Sequence, residues 1–121
     1  MTTIRSDVLR NLKTITDNVK MSRPAGRPVL PLITYEERSN VSVNIAYSRH
    51  RYRITAYASN FDELSTLCDQ IDDVIGHALG MERVSKSADG DSRIATDMYM
   101  CKMEYTCLVN NIYNYIVRNA Q

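Results

Sequence analysis

Residues 60–80, NFDELSTLCDQIDDVIGHALG, predict the principal helix of the chain. Its apolar residues recur at the three- and four-residue spacings that put them on one stripe of a helix. Asn60 is a favourable N-cap, Glu63 completes a box-like cap, and Gly80 is the expected left-handed end. The apolar stripe, expected to pack on a sheet, consists of Leu64, Leu67, Cys68, Ile71, Val74, Ile75, Ala78 and Leu79.

The opposite side of this helix is acidic, and the two halves of the chain also differ in net charge. Residues 1–60 carry ten Lys and Arg against four Asp and Glu, whereas residues 61–121 carry five against ten. Two faces of opposite sign would bring copies together head to tail, making a ring if the rotation closes. The alternative is that both faces are simply solvated. The predicted subunit-interface residues are Asp62, Asp69, Asp72 and Asp73 on the helix, and Arg49, Arg51 and Arg53 in the basic half.

Length and composition predict a single domain spanning 1–121, with one core. Eight Tyr carry most of the aromatic content, and Tyr suits half-buried strands and subunit interfaces. The three cysteines have no paired spacing and are predicted to be reduced core thiols. No signal peptide and no membrane-spanning apolar run is recognisable, so a protein that stays in the cytoplasm where it is made is expected.

The first half predicts one helix followed by strands. By number, these are a helix at 4–19, a loop at 22–28, and strands at 29–38, 41–47 and 52–58. Pro31 removes one ladder donor, so the first strand is an edge strand or begins just after it. Turns are expected at 39–40 and 48–51. Val41, Val43, Ile45 and Tyr47 alternate with smaller or polar residues, which predicts a half-buried antiparallel strand.

The second half predicts a long hairpin after the principal helix. A short strand is expected at 81–86, a flexible tip at 85–92 and a long strand at 93–109, whose length calls for a bulge or a projecting hairpin. The long strand is predicted to have one apolar face, formed by Tyr99, Cys101, Met103, Tyr105, Cys107 and Val109. The tail at 110–121 fits either a last helical turn or a strand. The fold class is therefore α+β, a small antiparallel sheet with a long C-terminal hairpin and two helices on one face. The candidate assembly arm at the hairpin tip comprises Lys86, Ser87, Asp89, Gly90, Asp91 and Arg93.

No catalytic, metal or cofactor site is predicted, and the chain is not expected to be an enzyme. No nucleophile–base pair can be argued around the two histidines, His50 and His77. A solvated or partner-facing surface explains Asp69, Asp72 and Asp73 better than a cation site, because Asp72 and Asp73 point about 100° apart on a helix. No glycine-rich loop or paired-cysteine zinc pattern is present.

Residues 49–53, RHRYR, form the sharpest local feature of the sequence. Guanidinium groups beside an aromatic ring suit a nucleic-acid backbone, which supports a small nucleic-acid-binding or protein-interaction module as the alternative function. Alternation along a strand weakens this interpretation, since Arg51 and Arg53 share a face while Tyr52 points into the core. An edge strand guarded by positive charge against aggregation is the simpler explanation.

A pattern across residues 1–109 resembles the tail-terminator (tail-completion, head–tail joining) proteins of long-tailed bacteriophages. The matching stretches are PLITYEE at 31–37, YRITAYA at 52–58, FDEL at 61–64 and CDQIDDVI at 68–75. The basic residues 49–53 and the C-terminal tail depart from the family pattern.

The resemblance implies a structural virion protein of the tail and neck, assembled in the host cytoplasm. It implies a homo-oligomeric, hexameric ring that caps the tail tube protein and offers a surface to the head connector or stopper protein. Nucleic acid would enter only by passing through the lumen of the ring, and neither a cofactor nor a membrane is implied.

Overall fold

The computed structural model describes residues 3–21, 28–87, 93–95 and 98–117 of the 121-residue chain. The helices are α1 (Ile4–Leu12) and α2 (Phe61–Ile71), and α2 continues as a wider π-helix over Asp72–Ala78. The strands are β1 (Val19–Met21), β2 (Leu32–Ser42), β3 (Tyr47–Ala58), β4 (Glu82–Ser87), β5 (Arg93–Ala95), β6 (Met98–Asn110) and β7 (Tyr115–Val117).

All these strands belong to one mostly antiparallel sheet. The main order is β1-β2-β3-β6-β4, and only the β1–β2 pair is parallel. The other edge of β6 pairs in turn with β5, β4 and β7 along its length. The sheet is therefore built on the central pair β3 and β6, whose register places Tyr52 opposite Tyr105.

Both helices cover the same face of this sheet, which confirms the predicted α+β class. The buried cluster joins α1 and α2 to one side of the three long strands. On β6 the residues of the predicted apolar face are buried from Cys101 to Val109, and Tyr99 at its start is half-buried. Asn110, at the end of the strand, is buried as well. We call the other side, which no described helix covers, the open face. The cluster includes Ile4, Val8, Leu12, Tyr52, Ile54, Leu64, Leu67, Ile71, Ile75, Met103 and Tyr105.

The principal helix has the predicted ends but not a uniform pitch. Asn60 caps it by accepting from the Glu63 amide at 2.8 Å, and Gly80 has a φ of 92°. After Ile71 the helix widens, so that the Leu79 amide bonds to the Val74 carbonyl. The wider turn changes the angular spacing of the residues that follow. Ile75 stays buried, but Ala78 is exposed, in contrast to the predicted stripe.

The prediction of a first helix at 4–19 is wrong, because α1 ends at Leu12. The next residues carry side chains that bond to nearby backbone and so compete with helix formation. The Thr14 hydroxyl donates to the Asn11 carbonyl at 2.6 Å, and the Asn18 side-chain Nδ2 donates to the carbonyls of Val29 and Pro31. Residues 19–21 then form β1 instead of a last helical turn.

The predicted turns at 39–40 and 48–51 are also wrong. Strand β2 runs through the first of them with a bulge at Arg38, and β3 already begins at Tyr47. The chain reverses at 43–46, where the Asn44 carboxamide oxygen accepts from the Ala46 and Tyr47 amides. Short polar side chains that accept in this way stabilise turns. The expected half-buried strand at 41–47 is therefore the exposed end of a hairpin.

The C-terminal half follows the predicted hairpin with adjusted boundaries. Strand β4 extends through Ser87, so part of the predicted tip at 85–92 is strand. In the first half of the chain, β2 begins directly after Pro31, which is one of the two expected alternatives. Bulges interrupt β4 and β5 where they pair with β6. Of the two alternatives for the tail, the strand is correct over Tyr115–Val117. The predicted loop at 22–28 lies outside the described residues except for Pro28.

Candidate interface surfaces

The outer side of α2 and its π-helical extension presents three exposed carboxylates. Asp62, Asp69 and Asp73 point away from the sheet, because the residues between them fill the core. The Asp73 carboxylate lies 3.2 Å from the imidazole Nδ1 of His77, one turn further along. This acidic row, Asp62, Asp69 and Asp73, contains three of the four acidic residues predicted for an interface.

Asp72, the fourth, turns inward and ties the π-helix to the sheet. Its carboxylate accepts from the Arg83 guanidinium at 2.5 Å and from the hydroxyl of Tyr105. Burial, together with this hydrogen bond and the negative charge of Asp72, raises the pKa of the Tyr105 hydroxyl. Asp72 is therefore a structural anchor, and it does not extend the acidic row.

The buried Tyr105 makes stability sensitive to alkali. An unfolded tyrosine ionises near pH 10, whereas the folded Tyr105 keeps its proton to higher pH, so its contribution is complete below about pH 10 and falls above it. We expect the free energy of unfolding to decrease by up to about 1.4 kcal/mol per pH unit for this group above pH 10. Urea unfolding across that range measures the slope.

Two tyrosine variants separate this effect from general alkaline damage. Tyr105→Phe should lower the slope above pH 10 and leave the part that is due to Tyr52, whose pKa burial also raises. Tyr113→Phe, at an exposed position, should leave the slope unchanged. Equal slopes for Tyr105→Phe and the wild type would show that Tyr105 does not cause the alkaline loss.

The three predicted arginines lie together on the open face of β3. Alternation places Arg49, Arg51 and Arg53 on one side and sends Tyr52 into the core, as expected. Glu104 on β6 accepts from Arg51 at 2.9 Å and from Arg53 at 3.2 Å, so these two charges are partly neutralised within the sheet. Arg49 is exposed and makes no ion pair with any residue that the structure describes. The arginine row therefore presents its strongest uncompensated charge at Arg49.

The open face curls over a small cavity at the end away from Arg49. Thr34, Thr55 and Tyr57 are buried there although no described helix covers them. The cavity has a volume of about 50 Å³, far below the several hundred Å³ of typical cofactor pockets. This part of the open face therefore does not offer a ligand site of that size.

Sequence reasoning missed a chain of polar side chains on the helix-covered face. Ser48 and His50 share that face of β3, with Ser48 Oγ 3.1 Å from His50 Nε2. His50 Nδ1 lies 3.3 Å from a Glu37 oxygen without hydrogen-bond geometry, and Glu37 also accepts from Arg5 at 2.8 Å. The signal in the sequence was Ser48-Arg49-His50 within a strand, because alternation places Ser48 and His50 on the same face.

Ser48, His50 and Glu37 follow the order of a nucleophile, a base and an acid, but the hydrogen bond between Ser48 and His50 has the wrong direction for catalysis. The Ser48 hydroxyl donates to the Asn111 side-chain oxygen at 2.9 Å, so the imidazole Nε2 must donate to Ser48. A general base would have to accept the serine proton. The arrangement therefore links α1, the hairpin and the C-terminal turn without forming a nucleophilic site.

The candidate assembly arm is only partly described. Lys86 and Ser87 pair with Met103 and Lys102 in the β4–β6 ladder, and Arg93 pairs with Tyr99. Asp89, Gly90 and Asp91 lie outside the described residues.

Within the described ranges, no group of three His, Cys, Asp or Glu side chains is arranged to hold a metal ion. No helix in the part of the chain that the structure describes is long and apolar enough to cross a membrane.

Comparison with known proteins shows the fold and no sequence family. No family model matches the sequence, and no curated protein matches it. Among solved structures, the fold is similar to that of a chain in the virion of a native gene transfer agent particle, with a TM-score of 0.65. The two chains are 12% identical, and the likeness covers 94% of each.

Proposed function

We propose that this chain is a structural, non-enzymatic protein of a virion. The observation that carries the proposal is the fold shared over 94% of both chains with a component of a gene transfer agent virion. Such breadth means that the whole domain, and not only a common hairpin or helix pair, has the same plan.

Within the virion, the role proposed is that of a tail terminator or head–tail joining protein. It rests on the resemblance of residues 31–37, 52–58, 61–64 and 68–75 to that family. In this role the chain forms a ring, hexameric in the family, on the end of the tail tube and gives the head connector its attachment surface. Packaged nucleic acid passes through the lumen of the ring.

The two charged surfaces support assembly between copies. The acidic row lies on the outer side of α2, and the arginine row lies on the open face, so the helix layer and the sheet separate them. Surfaces of opposite charge on opposite sides of one domain suit a heterologous, head-to-tail contact. A ring follows if the rotation between neighbours closes.

Nucleic-acid binding as the main function has weaker support. Glu104 pairs with two of the three arginines of the proposed patch, and Glu36 lies opposite Arg53 on the neighbouring strand. A phosphate backbone would have to compete with these carboxylates.

Deletion of the gene tests the proposed role. Particles produced without this chain should consist of filled heads and separate tails, because the joining surface is missing. Plasmid-borne wild-type protein should restore joined particles, which electron microscopy counts directly. Normal joined particles after the deletion would refute the neck role.

A further inference from the structure

One end of the sheet combines exposed apolar side chains with two turns that carry no charged residue, and Arg49, the cross-strand partner of Val41, lies at its border. It is formed by the β2–β3 hairpin turn and by the turn between β6 and β7, which the Asn111 amide joins to the Ala46 carbonyl at 2.7 Å. Residues 41–48 and 106–117 contain no Asp, Glu, Lys, Arg or His. Six of the ten exposed large apolar side chains of the described residues lie here. They are Val41, Val43, Ile45, Ile112, Tyr113 and Tyr115, and together they define the apolar end.

The apolar end is large enough for a protein contact. Ile45 is 97% exposed and Tyr113 76%. The six side chains together expose the equivalent of about four complete residues, or roughly 600 Å² at about 150 Å² each. A standard interface buries about 800 Å² on each partner, so the apolar end would supply most of one side.

The apolar end is also held in place before any partner arrives. Asn44 fixes the hairpin turn through the Ala46 and Tyr47 amides, and Asn110 fixes the second turn through the Ile112 and Tyr113 amides. A turn backbone held in this way loses little conformational freedom on binding, which favours affinity. Exposure of Ile45 is therefore a property of an ordered turn.

We infer that the apolar end docks onto an uncharged, apolar surface of a different protein of the same particle. The inference rests on the proposed virion role. In the proposed role, the charged surfaces on the two sides of the domain make the contact between copies. The apolar end lies along the strand direction and borders the arginine row where Val41 pairs with Arg49, but its own residues carry no charge for the acidic row to recognise. Its complement must be apolar, because a charged surface would be desolvated there without compensation.

Complementation of the gene deletion tests the inference. The variants are Ile45→Asp with Tyr113→Asp, and Val84→Asp as a matched control at an exposed apolar position on β4. The measurement is the amount of this chain in purified particles, by quantitative mass spectrometry. We expect the double variant to fall at least about tenfold and Val84→Asp to match the wild type. In parallel, light scattering should give the double variant the solution mass of the wild type.

Each outcome distinguishes between the possible binding partners of the apolar end. Incorporation of the double variant at the wild-type level overturns the inference and leaves the virion role intact. A lower solution mass of the double variant would assign the apolar end to contact with a second copy, and this too overturns the inference. Loss of wild-type binding to neutral phosphatidylcholine vesicles in the double variant would assign it to lipid and likewise overturn the inference. Absence of the wild-type chain from purified particles refutes the virion role itself, and the inference with it.

Discussion

Leu64→Ala is expected to lower the free energy of unfolding by about 2–5 kcal/mol. Leu64 is 1% exposed and belongs to the stripe of α2 that packs on β3 and β6. Its truncation removes burial and leaves a cavity that the sheet cannot close, because the neighbouring core side chains are fixed by the strand register. A domain of this size has about 5–15 kcal/mol to lose, so the variant should be near its stability limit.

Ser65→Ala is the matched control for this substitution. Ser65 is the next residue of α2 but is exposed, so its replacement should change stability by no more than about 0.5 kcal/mol. Urea unfolding followed by circular dichroism measures both variants. Similar midpoints for Leu64→Ala and Ser65→Ala would mean that α2 does not anchor the sheet.

Arg49→Glu is expected to weaken self-association at least about tenfold at low salt. Arg49 is the arginine of the row without an ion pair among the described residues, so its reversal leaves the sheet's own Glu104 pairs in place. It would put like charge opposite the acidic row of a neighbouring copy. Sedimentation velocity over a range of concentrations measures the change, and high salt should reduce the difference from the wild type.

The complementary reversal provides the decisive comparison. Asp69→Lys with Asp73→Lys should weaken assembly by itself, and its combination with Arg49→Glu should recover part of the wild-type affinity. Lys20→Glu, an exposed reversal on β1 outside both surfaces, should have no effect. Failure of the combined reversals to recover any affinity would mean that the two surfaces do not meet.

The parts of the fold that sequence reasoning predicted are those with strong local signals. Asn60, Gly80 and the apolar spacing between them specify the ends of the principal helix, and alternation on β6 specifies which residues are buried. The strand start after Pro31 follows from the missing amide of proline. In each case one local interaction determines the outcome.

The errors arise where local patterns fit two structures. Ile15 and Val19 continue the helical spacing of α1, but the helix ends before them. The Thr14 hydroxyl bonds to a carbonyl of the last turn of α1, and the Asn18 side chain bonds to the Val29 carbonyl outside any helix. Val41, Val43 and Ile45 alternate like a half-buried strand, yet Asn44 makes a turn and all three stay exposed among the residues that the structure describes. Periodicity reports a repeating side-chain pattern and does not report which face is covered.

The candidate surfaces were predictable only in part, for the same reason. The three arginines share a face, as alternation requires, but their pairing with Glu104 depends on the register between β3 and β6. The inward position of Asp72 depends on the π-helical turn and on Tyr105 opposite it. The apolar end depends on two turns distant in sequence that meet at Ala46 and Asn111.

The most direct test of the virion role is the location of this chain in purified particles. Gold-labelled antibody against the protein, imaged by electron microscopy, should mark one position per particle, at the junction of head and tail. Label spread over the head or along the tail would contradict the neck role. Particles without label, with the chain found only in the host lysate, would contradict the virion role altogether.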